Sequence, residues 1–165
     1  MSEAKKYGEL YTSDVLIIGG GVGGLTAAIQ VKEKDPDLNV LVIDKGTIGW
    51  SGQGTKAGNG IRALRPDALI KAMMYQVHAH TEYLNDQEFL MKYLEVQRDN
   101  VEIIQKYGVK TSVDADGNVT YFDMVPGMDC AGVEININRS LREYALKIGV
   151  RLLSRVNVFE LLTDH

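Results

Sequence analysis

Cysteine and proline are nearly missing from this chain of 165 residues, which holds one Cys and three Pro. A single Cys130 excludes an internal disulfide framework, a Cys-rich zinc site and a cysteine-ligated iron–sulfur cluster built from this chain. It fits a reducing compartment, so a cytoplasmic location is expected. So few prolines argue against a disordered or collagen-like chain. An excess of positive charge is absent too: Lys plus Arg is 18 against 22 for Asp plus Glu, a formal charge of −4. That sign disfavours general attraction to nucleic acid or anionic lipid, and neither is expected as a partner. No segment approaches the ~18 uninterrupted apolar residues of a membrane span, and the first fourteen residues lack the apolar stretch of a secretory signal. Nothing has the residue pattern of a Ser/His/Asp or Cys/His hydrolytic set. The length suits one ordinary domain with a real core.

Glycine is what the chain has in plenty. Of 17 glycines, five fall in residues 19–24 and six in residues 46–60. Before the first group, Val15 to Ile18 is an apolar, β-branched run that reads as a buried strand of a parallel sheet. After it, Leu25, Ala28, Ile29 and Lys32 recur at helical spacing until Asp35-Pro36-Asp37 ends the helix. Val40 to Ile43 is a second apolar run, closed by Asp44. Residues 14–44 thus form one βαβ unit, and the expected class is α/β with a Rossmann-like dinucleotide fold.

Gly19, Gly21 and Gly24 satisfy G-x-G-x-x-G between that strand and that helix. The first glycine permits the sharp turn, the second lets a pyrophosphate approach the backbone, and the third lets the helix lie against the strand. Phosphates would then sit at the helix N-terminus, where unpaired N–H groups and the helix dipole stabilise negative charge. Asp44, twenty positions after Gly24, is placed to accept hydrogen bonds from ribose hydroxyls. A carboxylate there would repel a 2′-phosphate, which points to FAD or NAD rather than NADP. The loop over residues 46–60, fifteen residues without periodicity, favours the longer cofactor. The competing reading is a glycine-rich turn without a ligand.

Further along, residues 67–84 place Ile70, Met73, Met74, Val77, Thr81 and Leu84 on one helical stripe. Residues 86–107 do the same with Leu90, Tyr93, Leu94, Gln97, Val101 and Ile104, capped by Asn85-Asp86. Turn chemistry at Asp114 to Asn118 suggests a small hairpin between Val113 and residues 119–122. Residues 138–148 read as a helix ended by Gly149, and residues 150–153 and 156–162 as two strands, the first a candidate third strand beside the βαβ unit.

The run DVLIIGGGVGGLTAAIQVKEKDPDLNVLVIDK, Asp14 to Lys45, resembles the opening FAD motif of the fumarate reductase and succinate dehydrogenase flavoprotein family. The loop WSGQGTKAGNGI resembles that family's flavin loop, nearest in form to adenylylsulfate reductase alpha subunits. Leu84-Asn85-Asp86, the corner at Lys106 to Val109, residues 135–141 and RVNVFELLTD are similar to later stretches of both. The resemblance implies that Gly19, Gly21, Val22, Gly23 and Gly24 meet the FAD pyrophosphate and Asp44 the ribose. It implies Lys45 at the adenosine end, Ser51 and Gly52 along the phosphate and ribityl chain, and the Asn157 to Val158 backbone at the adenine. It also implies a flavin-dependent oxidoreductase acting on a small molecule, with an iron–sulfur subunit as partner and membrane association only through partner subunits.

Covalent members carry a histidine after the loop serine, where this chain has Gly52 and Gln53, so noncovalent FAD is expected. The family's capping domain, catalytic residues and second flavin-binding half lie beyond the equivalent of His165. The 165 residues are therefore expected to be the N-terminal part of the FAD domain, with a helical insertion over about 66–108, inactive alone and without assignable catalytic residues. The alternatives are an adenylylsulfate-reductase-like flavin subunit and a non-catalytic dinucleotide-binding module.

Other residues have plainer explanations. His78 and His80 alternate on a helix and face apart, as surface histidines rather than metal ligands. Cys130 has no evident neighbouring cation and reads as structural. Met73 and Met74 read as core. Trp50 is either a flavin shield or a hydrophobic anchor, and Arg62 and Arg65 either pair with phosphate or are solvated.

Overall fold

The computed structural model describes residues 8–56, 60–64, 68–97, 99–125 and 128–163. Strand β1 (Val15–Ile18), helix α1 (Val22–Lys34) and strand β2 (Val40–Asp44) form the expected βαβ unit. β1 pairs parallel with β2 in the register Val15 to Val40 through Ile18 to Ile43. The last strand, β6 (Arg151–Ser154), pairs parallel on the other side of β2, Leu41 opposite Arg151. The sheet order is therefore β1-β2-β6.

Periodicity explains α1. Leu25, Ala28 and Ile29 are fully buried and face the sheet, and burying each of the larger two stabilises the fold by about 1.5–3 kcal/mol. Helix α5 (Ile137–Lys147) adds Leu141 and Ala145 to the same core, together with Val40, Val42, Ile48, Tyr107 and Val150. It ends at Gly149, φ +87°, as its sequence predicts. On the outer face, Glu33 of α1 accepts from Tyr144 Oη at 2.9 Å, and Lys106 Nζ lies 2.9 Å away. Tyr107 Oη donates to the same carboxylate at 3.4 Å and accepts from Gln30. Burial pushes the Glu33 carboxyl up, but the hydrogen bonds from Lys106 and Tyr144 outweigh it and hold the group below its ordinary value.

Between β2 and β6 lie short helices and a second sheet. Helix α2 (Leu69–Met74) runs into a π-helical turn (Tyr75–His80); α3 (Gln87–Val96) and α4 (Asn100–Lys106) follow. Strands β3 (Gly60–Arg62), β4 (Tyr121–Val125) and β5 (Met128–Gly132) form an antiparallel sheet in the order β3-β5-β4. Asp86 caps α3, accepting from Phe89 N at 2.9 Å.

Several expectations need correction. β1 is not fully buried: Leu16 and Ile18 are 47% and 50% exposed, because α1 covers one face only. The stripe over residues 67–84 is not a single buried helix. Ile70, Met74 and Leu84 are exposed; of the stripe Val77 is buried as expected, and Ala72 and Gln76 are buried beside it. The π-helical turn rotates the buried face, and the chain leaves the helix through Glu82 and Tyr83 at positive φ. The stripe over residues 86–107 is two helices because it serves two cores. Leu94 packs with Leu64 and Ala72, whereas Val101 packs with Ala63 and Ala131. At the break, the Gln97 carbonyl accepts from Leu64 N and Asn100 N. The small hairpin at Asp114 is present but short: the Asp114 carboxylate accepts from Asp116 N and Asn118 N at 2.9 Å, Val113 and Val119 form an antiparallel bridge, and Thr120 N donates to the Ser112 carbonyl at 2.9 Å. The longer antiparallel pair is β4 with β5. Residues 156–162 are not a strand: Val156 N donates to the Asp44 carbonyl at 3.0 Å, but β2 ends at that residue and leaves the following N–H groups no strand to pair with. Arg65 and Asp67 lie outside the described residues.

Candidate functional site: a glycine-lined cleft at the strand ends

The turn after β1 follows its glycines. Gly19 adopts φ +109° and donates to the Ile43 carbonyl at 2.7 Å. Gly24 lies so close to that turn that a Cβ would fall 1.7 Å from the Gly19 carbonyl oxygen. Gly21, the N-cap of α1, has an ordinary φ of −76°. Neither Gly21 nor Gly23 has any atom within 4 Å of where a Cβ would stand. Packing accounts for Gly24 but not for Gly21 or Gly23. Their bare backbone opens outward at the N-terminus of a 13-residue helix, where N–H groups are unpaired.

Asp44 joins this turn to the second glycine segment. Its Oδ2 accepts from Gly20 N and its Oδ1 from Gly46 N, both at 2.6 Å, and Ser51 Oγ lies 3.5 Å from Oδ1. Oδ1 thus has two donors, whereas Oδ2 has a second lone pair, so the group keeps acceptor capacity for a ligand hydroxyl. Beside it, Ile18, Gly19, Ile43, Asp44, Lys45, Val156, Asn157 and Val158 line a cleft of about 270 Å³. The chain after β6 is fixed there by Arg155 N on the Gly46 carbonyl and Ser154 Oγ accepting from Ile48 N.

The loop continues onto the helix end. A Cβ on Gly52, φ +89°, would stand 3.5 Å from Gly21 Cα, and one on Gly54 would stand 2.3 Å from Val22 Cγ2. The structure therefore brings together Gly19, Asp44, Lys45, Asn157 and Val158 in the cleft, and Gly21, Val22, Ser51 and Gly52 at the helix N-terminus. Gly23 and Gly24 lie in the first turn of that helix.

Sequence reasoning missed the first half of α5. Asn136 Nδ2 donates to the Gly49 carbonyl at 3.0 Å and Asn138 Nδ2 to the Ser51 carbonyl at 2.9 Å. The Arg142 guanidinium stands 5.3 Å over the Trp50 ring. The only local signal was a helix-start asparagine, which explains Asn136 as N-cap and nothing more. Trp50 is 54% exposed and so is not a buried anchor.

The remaining candidates stand apart. His78 and His80 are exposed and pack on Tyr83 and Tyr75. Among the described residues no group of three His, Cys, Asp or Glu is placed to hold a metal ion, and no helix is long and apolar enough to cross a membrane. Cys130 does have a cation near it, since Arg62 is its partner across β3 and β5. Burial nevertheless dominates and pushes the thiol above its ordinary value.

This geometry is that of a dinucleotide-binding α/β domain. The FAD binding domain family matches residues 14–151, and the chain belongs to it; the cofactor of the family is FAD. The chain is 32% identical over 111 residues to the 8-methylmenaquinol:fumarate reductase flavoprotein subunit of Wolinella succinogenes, a match over 64% of this chain and 18% of that protein. A solved quinol–fumarate reductase with menaquinol molecules superposes with a TM-score of 0.74 at 19% identity, over 95% of this chain and 28% of the other. Adenylylsulfate reductase from Archaeoglobus fulgidus superposes with 0.73 at 20% identity, over 94% and 26%. The chain thus spans about a fifth of the length of the curated relative, and the two structures support the fold.

Proposed function

We propose that this chain is the N-terminal FAD-binding part of a flavin-dependent oxidoreductase of the fumarate reductase and succinate dehydrogenase flavoprotein type. The observation that carries the reading is the open backbone at Gly21 and Gly23, two glycines with no packing role at a helix N-terminus. In this reading Gly19, Gly21, Val22, Gly23 and Gly24 take the pyrophosphate, whose charge the helix end stabilises. Asp44 accepts from the adenosine ribose with the free lone pair of Oδ2, and its charge disfavours a 2′-phosphate. Lys45 flanks the adenosine end, Ser51 and Gly52 line the phosphate and ribityl chain, and the Asn157 to Val158 backbone meets the adenine. FAD, when bound, supplies hydride or electron transfer at its isoalloxazine N5. This chain's part is to bind and orient it noncovalently.

The half-exposed Leu16 and Ile18 of β1 support a larger domain, because an apolar strand at a sheet edge calls for cover. We assign that cover to the remainder of the FAD domain, which would also bring the capping domain and the acid–base groups. A small-molecule substrate, an iron–sulfur electron-transfer partner and a cytoplasmic, partner-mediated membrane association complete the proposal. The likeness of residues 50–61 to the flavin loop of adenylylsulfate reductases favours a second reading, a sulfur-species reductase.

Both are tested on the full-length protein. Cofactor released and chromatographed should be FAD, and reduced viologen should be oxidised by fumarate; oxidation with adenylylsulfate-linked substrates instead selects the second reading. Full-length protein that carries no flavin overturns both. The 165-residue chain alone should turn over neither substrate, and multiple turnovers by it would refute the partial-domain reading.

A further inference from the structure

The helix that follows the second sheet grips the glycine loop from the side. Three residues of its N-terminal half hold three consecutive loop residues: Asn136 holds Gly49, Arg142 holds Trp50 and Asn138 holds Ser51. The fit is close. A Cβ on Gly49, φ +93°, would stand 2.6 Å from Arg142 Cδ, and one on Gly54 would stand 2.4 Å from Asn138 Oδ1. Asn138 is fully buried, and its Oδ1 has no hydrogen-bond partner.

A buried amide left half unpaired is costly, and an apolar side chain of similar size would fill the space without that cost. Its donor end meets the carbonyl of Ser51, three residues before the loop reaches Val22 at Gly54. Asn136 works differently: its Oδ1 accepts from Arg139 N at 3.3 Å as a helix cap, while its Nδ2 is spent on the loop. Both carbonyls, Gly49 and Ser51, are thereby turned onto amide donors.

We propose that Asn136 and Asn138 are positioning residues for FAD: they hold residues 49–52 in the cofactor-ready conformation, so that binding does not have to order the loop. The inference rests on the FAD reading above, and in particular on Ser51 and Gly52 lining the phosphate and ribityl side. ADP, the other half of the cofactor, uses the Asp44 cleft and the helix end and needs the loop less.

The test compares FAD with ADP in the full-length apo-protein. Asn138→Ala should weaken FAD at least tenfold, by flavin fluorescence titration, while ADP affinity stays within twofold. Asn136→Asp keeps the cap acceptor but loses the donor to Gly49, so it should weaken FAD severalfold while ADP affinity stays within twofold. A merely structural role would weaken both ligands together, or neither. Equal loss of FAD and ADP affinity in Asn136→Asp, or unchanged FAD affinity in both variants, overturns the proposal while the FAD reading stands. Wild-type protein that binds ADP but not FAD overturns the FAD reading and this inference with it.

Discussion

Gly21 and Gly24 stand three residues apart in one motif, yet the structure gives them separate tasks that a pair of substitutions should pull apart. At Gly24 a methyl group would lie 1.7 Å from the Gly19 carbonyl oxygen and 2.9 Å from its carbon. Even close carbon–oxygen contacts run at roughly 3.3–3.6 Å. Gly24→Ala must therefore push α1 away from the turn that Gly19 makes, and both partners are backbone with no rotamer to give way. Overpacking of this kind costs about 1–3 kcal/mol or more, against which the better helix propensity of alanine returns up to about 1. The apo-protein should lose about 1–2 kcal/mol, or roughly 2–8 °C of melting temperature for a domain of this size.

At Gly21 the same addition meets nothing within 4 Å, and a φ of −76° suits any residue. Gly21→Val should lower apo-protein melting by no more than about 4 °C, since valine is a poorer N-cap than glycine by up to about 1 kcal/mol but meets no clash. What the side chain fills is the space assigned to pyrophosphate, so FAD affinity should fall by at least about a hundredfold, or about 2.8 kcal/mol. Flavin titration and differential scanning calorimetry on both full-length variants supply the two readouts. If Gly21→Val binds FAD like wild type, the motif is only a turn. If Gly24→Ala melts with wild type, the contact with Gly19 is not what requires glycine there.

Three further outcomes follow from other sites. Asp44→Ala should weaken FAD by roughly ten- to a hundredfold through the lost ribose bonds, and should also lower apo-protein stability, because Gly20 N and Gly46 N lose their acceptor. An apo-protein melting as wild type would show that those two bonds contribute nothing. Glu33→Gln should destabilise the protein at pH 7. Because the Glu33 carboxyl is held below its ordinary value, its stabilisation is present above the unfolded value and lost as pH falls through the folded one. The gap in melting temperature between variant and wild type should then close toward pH 3, and a constant gap from pH 7 to 3 would refute the linkage. With Gly52 and Gln53 after Ser51, acid precipitation of the full-length holoprotein should leave FAD in the supernatant; yellow colour in the washed pellet would mean a covalent bond.

The βαβ unit was legible because its signals are local and agree: an apolar run, a glycine turn, a helical stripe and a closing acid all fall within residues 14–44. Burial of β1 was not, since the cover on the second face of a strand comes from elsewhere in the chain, and Leu16 and Ile18 look no different from Leu41 and Ile43 in sequence. The stripe over residues 86–107 misled for a related reason. Periodicity tells which residues share a face, but not that Leu94 and Val101 are buried in different clusters. Residues 156–162 read as a strand, yet among the described residues only the first of their N–H groups finds a backbone partner, the Asp44 carbonyl at the very end of β2, and β2 offers nothing beyond it to pair with. The α5 grip on residues 49–51 joins positions 87 apart in its two amide bonds, and asparagine near a helix start already has an ordinary explanation.

Asp44 shows why the candidate site could be read from so little. Three segments far apart in sequence meet at its backbone and side chain: the turn at Gly20, the loop at Gly46 and the chain leaving β6 at Val156. Parallel strands put their carboxyl ends on one edge, so the residue closing β2 is bound to stand beside the turn leaving β1 and the chain leaving β6. A short acid there can reach both glycine N–H groups, and a longer side chain would have to fold back to do so. The cleft is therefore set by one strand-end carboxylate and by backbone, and its shape depends on topology more than on side-chain packing. Positions that depend on topology carry their meaning in a single residue type, as Asp44 and Gly24 do. Positions that depend on packing, such as Asn138, acquire theirs only when the fold closes.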